Sequence, residues 1–228
     1  MNIKDALEKK DVNYLIRNIR SLLNLLKSKD GLEREVGWKA IDFLIETGNV
    51  NELVQYKNYL RSLLWHRLKG VRDDAWKHLH VYKILQTIGI ERALTAQSDK
   101  IKWSAWNNVL NLIQLEIVSK EHIRSVRYAY WRLLRSIYPT IRKKAWRHFV
   151  KLVHEGIFDS SDKDRFLEFL KSNKANIRIL AWKTAFMLVK ENFISLDELK
   201  TNIRYLEELT MQQSKVKKVA EKLIKELT

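Results

Sequence analysis

Residues 141–153 read IRKKAWRHFVKLV, and the same arrangement returns as VRDDAWKHLHVYKIL from Val71 and IRILAWKTAFMLV from Ile177. A hydrophobic residue, a basic residue, two variable positions, a small residue and a tryptophan lead into an apolar ladder. At about 100° per residue, Ile141, Ala145, Phe149 and Leu152 share one face, which predicts a helix with a buried stripe. The small residue in the middle of that stripe lets a partner helix approach closely.

Working outward, the pattern occurs six times. The basic residue and the centre four places on are Arg34 with Trp38, Arg72 with Trp76, Lys102 with Trp106, Arg142 with Trp146, Arg178 with Trp182, and Lys217 with Glu221, where tryptophan is lost. Before each centre stands Gly37, Ala75, Ala105, Ala145, Ala181 or Ala220. The centres lie 38, 30, 40, 36 and 39 residues apart, which denotes one supersecondary unit repeated along an array. Repeats are expected at about 1–48, 49–88, 89–118, 119–157, 158–193 and 194–228, forming a single domain over 1–228 because each unit packs on its neighbours.

The first helices are expected at Val12 to Lys27, Val50 to Arg67, Lys120 to Ile137, Asp162 to Leu170 and Leu196 to Leu209, with a shorter one near Glu91 to Gln97. Start signals support three of them: Ser195 with Glu198 as a capping box, Asn49 three before Glu52, and Asp159 to Ser161. The turns at Lys69-Gly70, Tyr138 to Thr140, Ser172 to Asn176 and Met211 to Ser214 contain no acid.

One proline and six glycines among 228 residues leave little room for irregular loops, so the chain is expected to be all-α. Lys and Arg outnumber Asp and Glu by 43 to 27, giving a net charge of +16, which points to anionic partners such as nucleic acid or an acidic protein. No cysteine is present, which excludes disulfides, thiolate metal sites and a cysteine nucleophile. No stretch approaches the ~20 apolar residues of a membrane span, and the first residues carry charges where a signal peptide needs an apolar run. The expectation is a cytoplasmic protein of unknown oligomeric state.

Helical pairs carrying V/I-R-x-x-A before an apolar ladder resemble HEAT repeats, and the resemblance covers nearly the whole chain. It implies an α-solenoid, a right-handed superhelix of about six helix pairs, whose second helices line a concave surface. Such repeats commonly place an acid in the turn before the second helix to pair with the arginine. Here only Asp30, Glu33 and Asp99 stand in such turns, so most of the basic row is expected to lack that partner.

Two rows of cations follow. Arg34, Arg72, Lys102, Arg142, Arg178 and Lys217 fall in the first turns of their helices, where a cation opposes the macrodipole by about 0.3–1 kcal/mol. Either each forms an anion pocket with the free amides of its helix start, or it packs over its tryptophan or bonds turn carbonyls. Lys39, Lys77, Asn107, Arg147, Lys183 and Lys222, one place after each centre, point away from the buried stripe. These serve either as a cationic stripe for a ligand or as solubilising charge.

The repeated tryptophans read as packing between units. Trp65, Trp103 and Trp131 lie outside the repeated position, and Trp103 is a candidate to stack on a base, with partly exposed packing as the alternative. His154-Glu155 is similar to the His-Glu motifs of di-iron HEAT-repeat hydroxylases, but one pair is too few, so neither a metal nor a cofactor is expected. HEAT-like alkylpurine DNA glycosylases are similar in length, charge and tryptophan content, and place an aspartate one turn after a tryptophan. Trp38 and Asp42 have that spacing, in one repeat only, and are the weak candidates for catalysis. The sequence is best read as a non-catalytic binder of nucleic acid with weak sequence preference, with a scaffold for an acidic protein and the glycosylase as alternatives.

Overall fold

A helix ends on carbonyls that no further turn can reach, and in this chain the next helix supplies their donors. In the computed structural model, which describes residues 1–212 and 215–228, four indole N–H groups do this. Trp76 donates to the carbonyl of Leu64 (3.1 Å), Trp106 to Leu94 (2.9 Å), Trp146 to Leu134 (2.9 Å) and Trp182 to Leu170 (3.0 Å). Each acceptor lies twelve residues earlier, at the end of the first helix of the same repeat. All five repeat tryptophans are buried, so each contributes a large apolar surface, and these four a cap as well.

The protein is all-helical: 74% of it is helix and no described residue lies in a strand. It divides into two compact units, Met1–Ser119 and Lys120–Thr228, a boundary that coincides with the end of the third repeat. The first unit opens with Ile3–Glu8, a short helix absent from the expected set and closed by an Asn2–Asp5 capping box. Its second helices are Gly31–Glu46, Lys69–Lys77 continued by Leu79–Ile84, and Asp99–Asn107 continued by Val109–Gln114. Those of the second unit are Pro139–His154, Ala175–Lys190 and Lys215–Leu227. Of the turn expected at 211–214, Gln213 and Ser214 lie outside the described residues.

The breaks in the first unit coincide with local side-chain bonds. A ring nitrogen of His78 lies 2.6 Å from the Asp74 carbonyl, and Asn108 donates to Ser104 at 2.7 Å, both reaching four residues back. Such bonds compete with the helical ladder, and the backbone leaves helical geometry at both residues. At the same position Gly31–Glu46 has Ala40 and runs unbroken. Thr184 makes the same bond to Leu180 at 2.8 Å without breaking Ala175–Lys190, so the bond alone does not decide the break.

The first helices are more fragmented than their periodicity predicts. Val12–Arg17 and Ile19–Leu25 part at Asn18, whose amide donates to Tyr14 O (2.9 Å). Leu196–Thr201 and Ile203–Glu207 part at Asn202 in the same way. The segments Ile90–Thr95 and Arg127–Arg135 are 3-10 helices. Ser195 with Glu198 and Asp159 with Asp162 form capping boxes. Asn49 does not cap with its side chain, which bonds Thr47 instead.

The small residue before each centre is required by contact. A Cβ on Gly37 would lie 2.8 Å from Leu26 Cδ2 and 3.1 Å from Leu25 Cβ, and Ala75, Ala105, Ala145, Ala181 and Ala220 have no exposed surface. In the second unit the core is aromatic. Trp131 meets Phe158 edge-on at 5.1 Å, and Phe149 stacks on Phe166 at 5.8 Å.

Candidate nucleic-acid interface

The row four places before each centre is built into the protein. Arg34 Nη1 donates to Ser28 O (2.9 Å), Arg72 Nη1 to His66 O (2.8 Å), Arg142 Nη1 to Ser136 O (2.8 Å) and Arg178 Nε to Ser172 O (2.7 Å). Each acceptor stands six residues earlier, just beyond the end of the first helix. A cation there meets the negative end of that helix, which offsets its unfavourable place at the start of its own. Hydrogen bonds to a charged group contribute about 1.5–3 kcal/mol each. Arg72, Lys102 and Arg142 are buried, and burial lowers the pKa of Arg72 from its ordinary value.

Acidic partners for this row come from the repeat that follows rather than from the turn before. Arg34 Nε sits 2.7 Å from the Asp74 carboxylate, Arg72 Nε donates to Ser104 Oγ at 2.9 Å, and Arg178 Nη1 meets Glu208 at 2.7 Å. The acid that HEAT repeats place in the preceding turn is thus replaced for these three by acids and a hydroxyl some 30 to 40 residues ahead, which reading only the preceding turns misses. Gly70 is part of the arrangement, because a Cβ there would lie 2.6 Å from Arg34 Nη2. Lys217, in the repeat without tryptophan, is exposed.

The row one place after each centre is on the surface. Lys39, Lys77, Asn107, Arg147, Lys183 and Lys222 are all exposed, but their surroundings differ between the units. Lys39 lies 2.9 Å from Glu35, whose carboxyl is held below its ordinary value by the hydrogen bond and charge of that lysine. Four acids, Glu33, Glu35, Asp42 and Glu46, share the helix Gly31–Glu46 with it.

In the second unit, Pro139–His154 packs on Ala175–Lys190, which packs on Lys215–Leu227. The first two of these helices contain eight Lys and Arg and no Asp or Glu over 32 residues. Lys143, Arg147 and Lys151 are exposed and recur every fourth residue, about 6 Å apart along the axis. Lys183 and Lys190 on the next helix, and Lys218, Lys222 and Lys225 on the third, are exposed as well. Unit charges agree: Met1–Ser119 has 19 Lys and Arg against 14 Asp and Glu, Lys120–Thr228 has 24 against 13. At the end of the first helix of this set, His154 Nδ1 lies 2.8 Å from Glu191, whose hydrogen bond and charge raise its pKa.

The remaining candidates are placed as follows. Trp103 is half-buried and Trp131 is in the core. Trp38 is 2% exposed, with its ring stacked on His78 (centroids 4.3 Å, 9° between planes), and Asp42 Oδ1 lies 2.8 Å from His80 Nε2. That ring and that carboxylate do not face a common open surface. Among the described residues no three His, Asp or Glu come together as a metal site, and no helix is long and apolar enough to cross a membrane.

No protein-family model matches the chain, and no curated protein is similar to it. Among solved structures, it is similar to an engineered protein from the Northeast Structural Genomics Consortium, at 17% identity and a TM-score of 0.41 over 92% of this chain and 96% of that one.

Proposed function

We propose that the helix pairs stack as a right-handed, HEAT-like α-solenoid and that the protein binds the phosphate backbone of nucleic acid, without catalysis, through the exposed cations of its second helices. The observation that carries this reading is the pair of packed helices Pro139–His154 and Ala175–Lys190, basic and free of acids along their whole length. A face kept only for solubility would mix both signs, as Gly31–Glu46 does. Lysine and arginine without an accompanying set of Asn, Gln or Asp to read base edges predict weak sequence preference, since phosphate contacts position a protein and base contacts specify.

Five or so phosphates neutralised at about −0.9 each give an expected slope of log affinity against log salt of roughly −4 to −5. Changing Arg147, Lys183, Lys190 and Lys222 together to Glu should abolish binding to a duplex and leave helicity unchanged, because all four are exposed. The matched control reverses Arg20, Arg135, Arg165 and Lys200, exposed on the first helices. Equal loss in both variants would mean that only net charge matters. An acidic polypeptide that binds while duplexes do not would replace nucleic acid as the ligand.

A further inference from the structure

Pro139–His154 begins without a side-chain cap: its N-cap is Tyr138, Pro139 has no N–H, and no acid stands in the first turn. The helix start therefore offers the amides of Thr140 and Ile141 to a ligand. Beside them is Arg142, 8% exposed, tied through Nη1 to Ser136 O at 2.8 Å, with its buried Nε lacking any hydrogen-bond partner. A buried N–H left without a partner calls for an explanation.

The other arginines of the row supply one. Nε meets the Asp74 carboxylate in Arg34 (2.7 Å), the Ser104 hydroxyl in Arg72 (2.9 Å) and the Ser172 carbonyl in Arg178 (2.7 Å). Asp74 and Ser104 each stand two residues before the next tryptophan. The residue at that place for Arg142 is Leu180, which has no acceptor. Two of the second helices of the first unit also close their starts differently, with Asp30 capping Gly31–Glu46 and Ser98 capping Asp99–Asn107, whereas Lys69–Lys77 starts without a side-chain cap, as Pro139–His154 does.

We infer that the start of Pro139–His154 is a phosphate site: an oxyanion takes the place relative to Arg142 that the Asp74 carboxylate takes relative to Arg34. Its other oxygens meet the Thr140 and Ile141 amides, and the exposed Lys143 and Lys144 add charge. This rests on the cationic face of the same helix being a nucleic-acid surface, and assigns one backbone phosphodiester to a defined pocket at its edge.

The test titrates the 15N-labelled full chain with inorganic phosphate and measures duplex binding separately. Saturating shifts at the Thr140 and Ile141 amides and Arg142 Nε are expected. Leu180→Asp, which gives Arg142 the internal carboxylate that Arg34 has, should weaken phosphate binding about tenfold, because a charge-assisted bond is already made. The double change Lys143→Gln with Lys144→Gln, both exposed, should weaken it about threefold through lost Coulomb attraction alone, and it decides the matter if Leu180→Asp does not fold. Shifts that saturate elsewhere, or affinities that neither variant alters, overturn the pocket. Duplex binding that persists without any shift at Thr140 and Ile141 sinks the pocket and spares the surface, whereas a wild-type chain that binds no duplex sinks the reading on which it rests.

Discussion

Gly31–Glu46 and Pro139–His154 are both 16 residues long, both carry a small residue and a buried tryptophan at the same places, and both anchor an arginine on the carbonyl six residues back. They differ on the side turned away from the core. The first sets Glu35 against Lys39 and Asp42 against His80, so its charges are satisfied within the unit. The second has four exposed cations, Lys143, Lys144, Arg147 and Lys151, and no acid. Similar inner architecture with different outer chemistry fits the proposal that the repeat supplies the scaffold and the variable exposed positions the proposed binding surface.

The largest test exchanges those outer faces. Lys143→Glu, at the place of Glu35, with Lys151→Glu should lower duplex affinity on the order of a hundredfold at low salt and flatten the salt slope by about 2. Glu35→Lys with Glu46→Lys, which frees Lys39, should raise affinity about tenfold by the same counting. A filter-binding series over salt reads both. If the two exchanges produce equal and opposite changes, the units are equivalent surfaces and the contrast between them has no functional meaning.

A second comparison concerns the core. Trp146 donates to Leu134 O at 2.9 Å, but Trp38 Nε1 is buried without a partner. Trp146→Phe leaves a helix-end carbonyl unsatisfied and should cost about 1–3 kcal/mol, while Trp38→Phe removes an unpaired donor and should cost less than about 1 kcal/mol. Thermal unfolding of the two variants, with monitoring of each unit's own resonances, measures the difference. Equal losses would mean that the indole bond contributes little and ring volume is what matters.

The sequence made the repeat legible because tryptophan, a small residue and a cation recur at fixed offsets, and the helical period turned those offsets into a buried stripe. A further regularity was there to be read: leucine stands twelve residues before every centre, at Leu26, Leu64, Leu94, Leu134, Leu170 and Leu209. Its meaning depends on a hydrogen bond across the helix turn, which periodicity along one helix does not register. The partners of Arg34 and Arg178 were hidden for a similar reason, because Asp74 and Glu208 lie 40 and 30 residues ahead. At the breaks at Asn18, His78 and Asn108 single side chains compete with the ladder, a signal too local for hydrophobic pattern to carry. The exposure of the row after each centre did follow from the pattern, since a residue opposite the buried stripe has nowhere else to point.

Asp159 and Asp162 of the second unit sharpen the contrast, because they pair with Arg124 and Arg127 of the first helices rather than with the cations of Pro139–His154 and Ala175–Lys190. Asp159 accepts from the Ser161 hydroxyl and amide and from Arg124 at 2.6 Å, which together hold its carboxyl at about 2, below the usual value of 3.8. A carboxylate with a depressed folded pKa stabilises the protein above its unfolded pKa, and that contribution fades as pH falls from about 4 towards 2. Arg124→Gln should raise the Asp159 pKa and move the onset of acid unfolding to higher pH. At neutral pH the cost should stay under about 1 kcal/mol, because the pair is partly exposed and screened. Duplex affinity should hardly change. If instead Arg124→Gln weakened binding as much as Arg147→Glu, cations off the second helices would be taking part, and the division between a structural side and a binding side would be wrong.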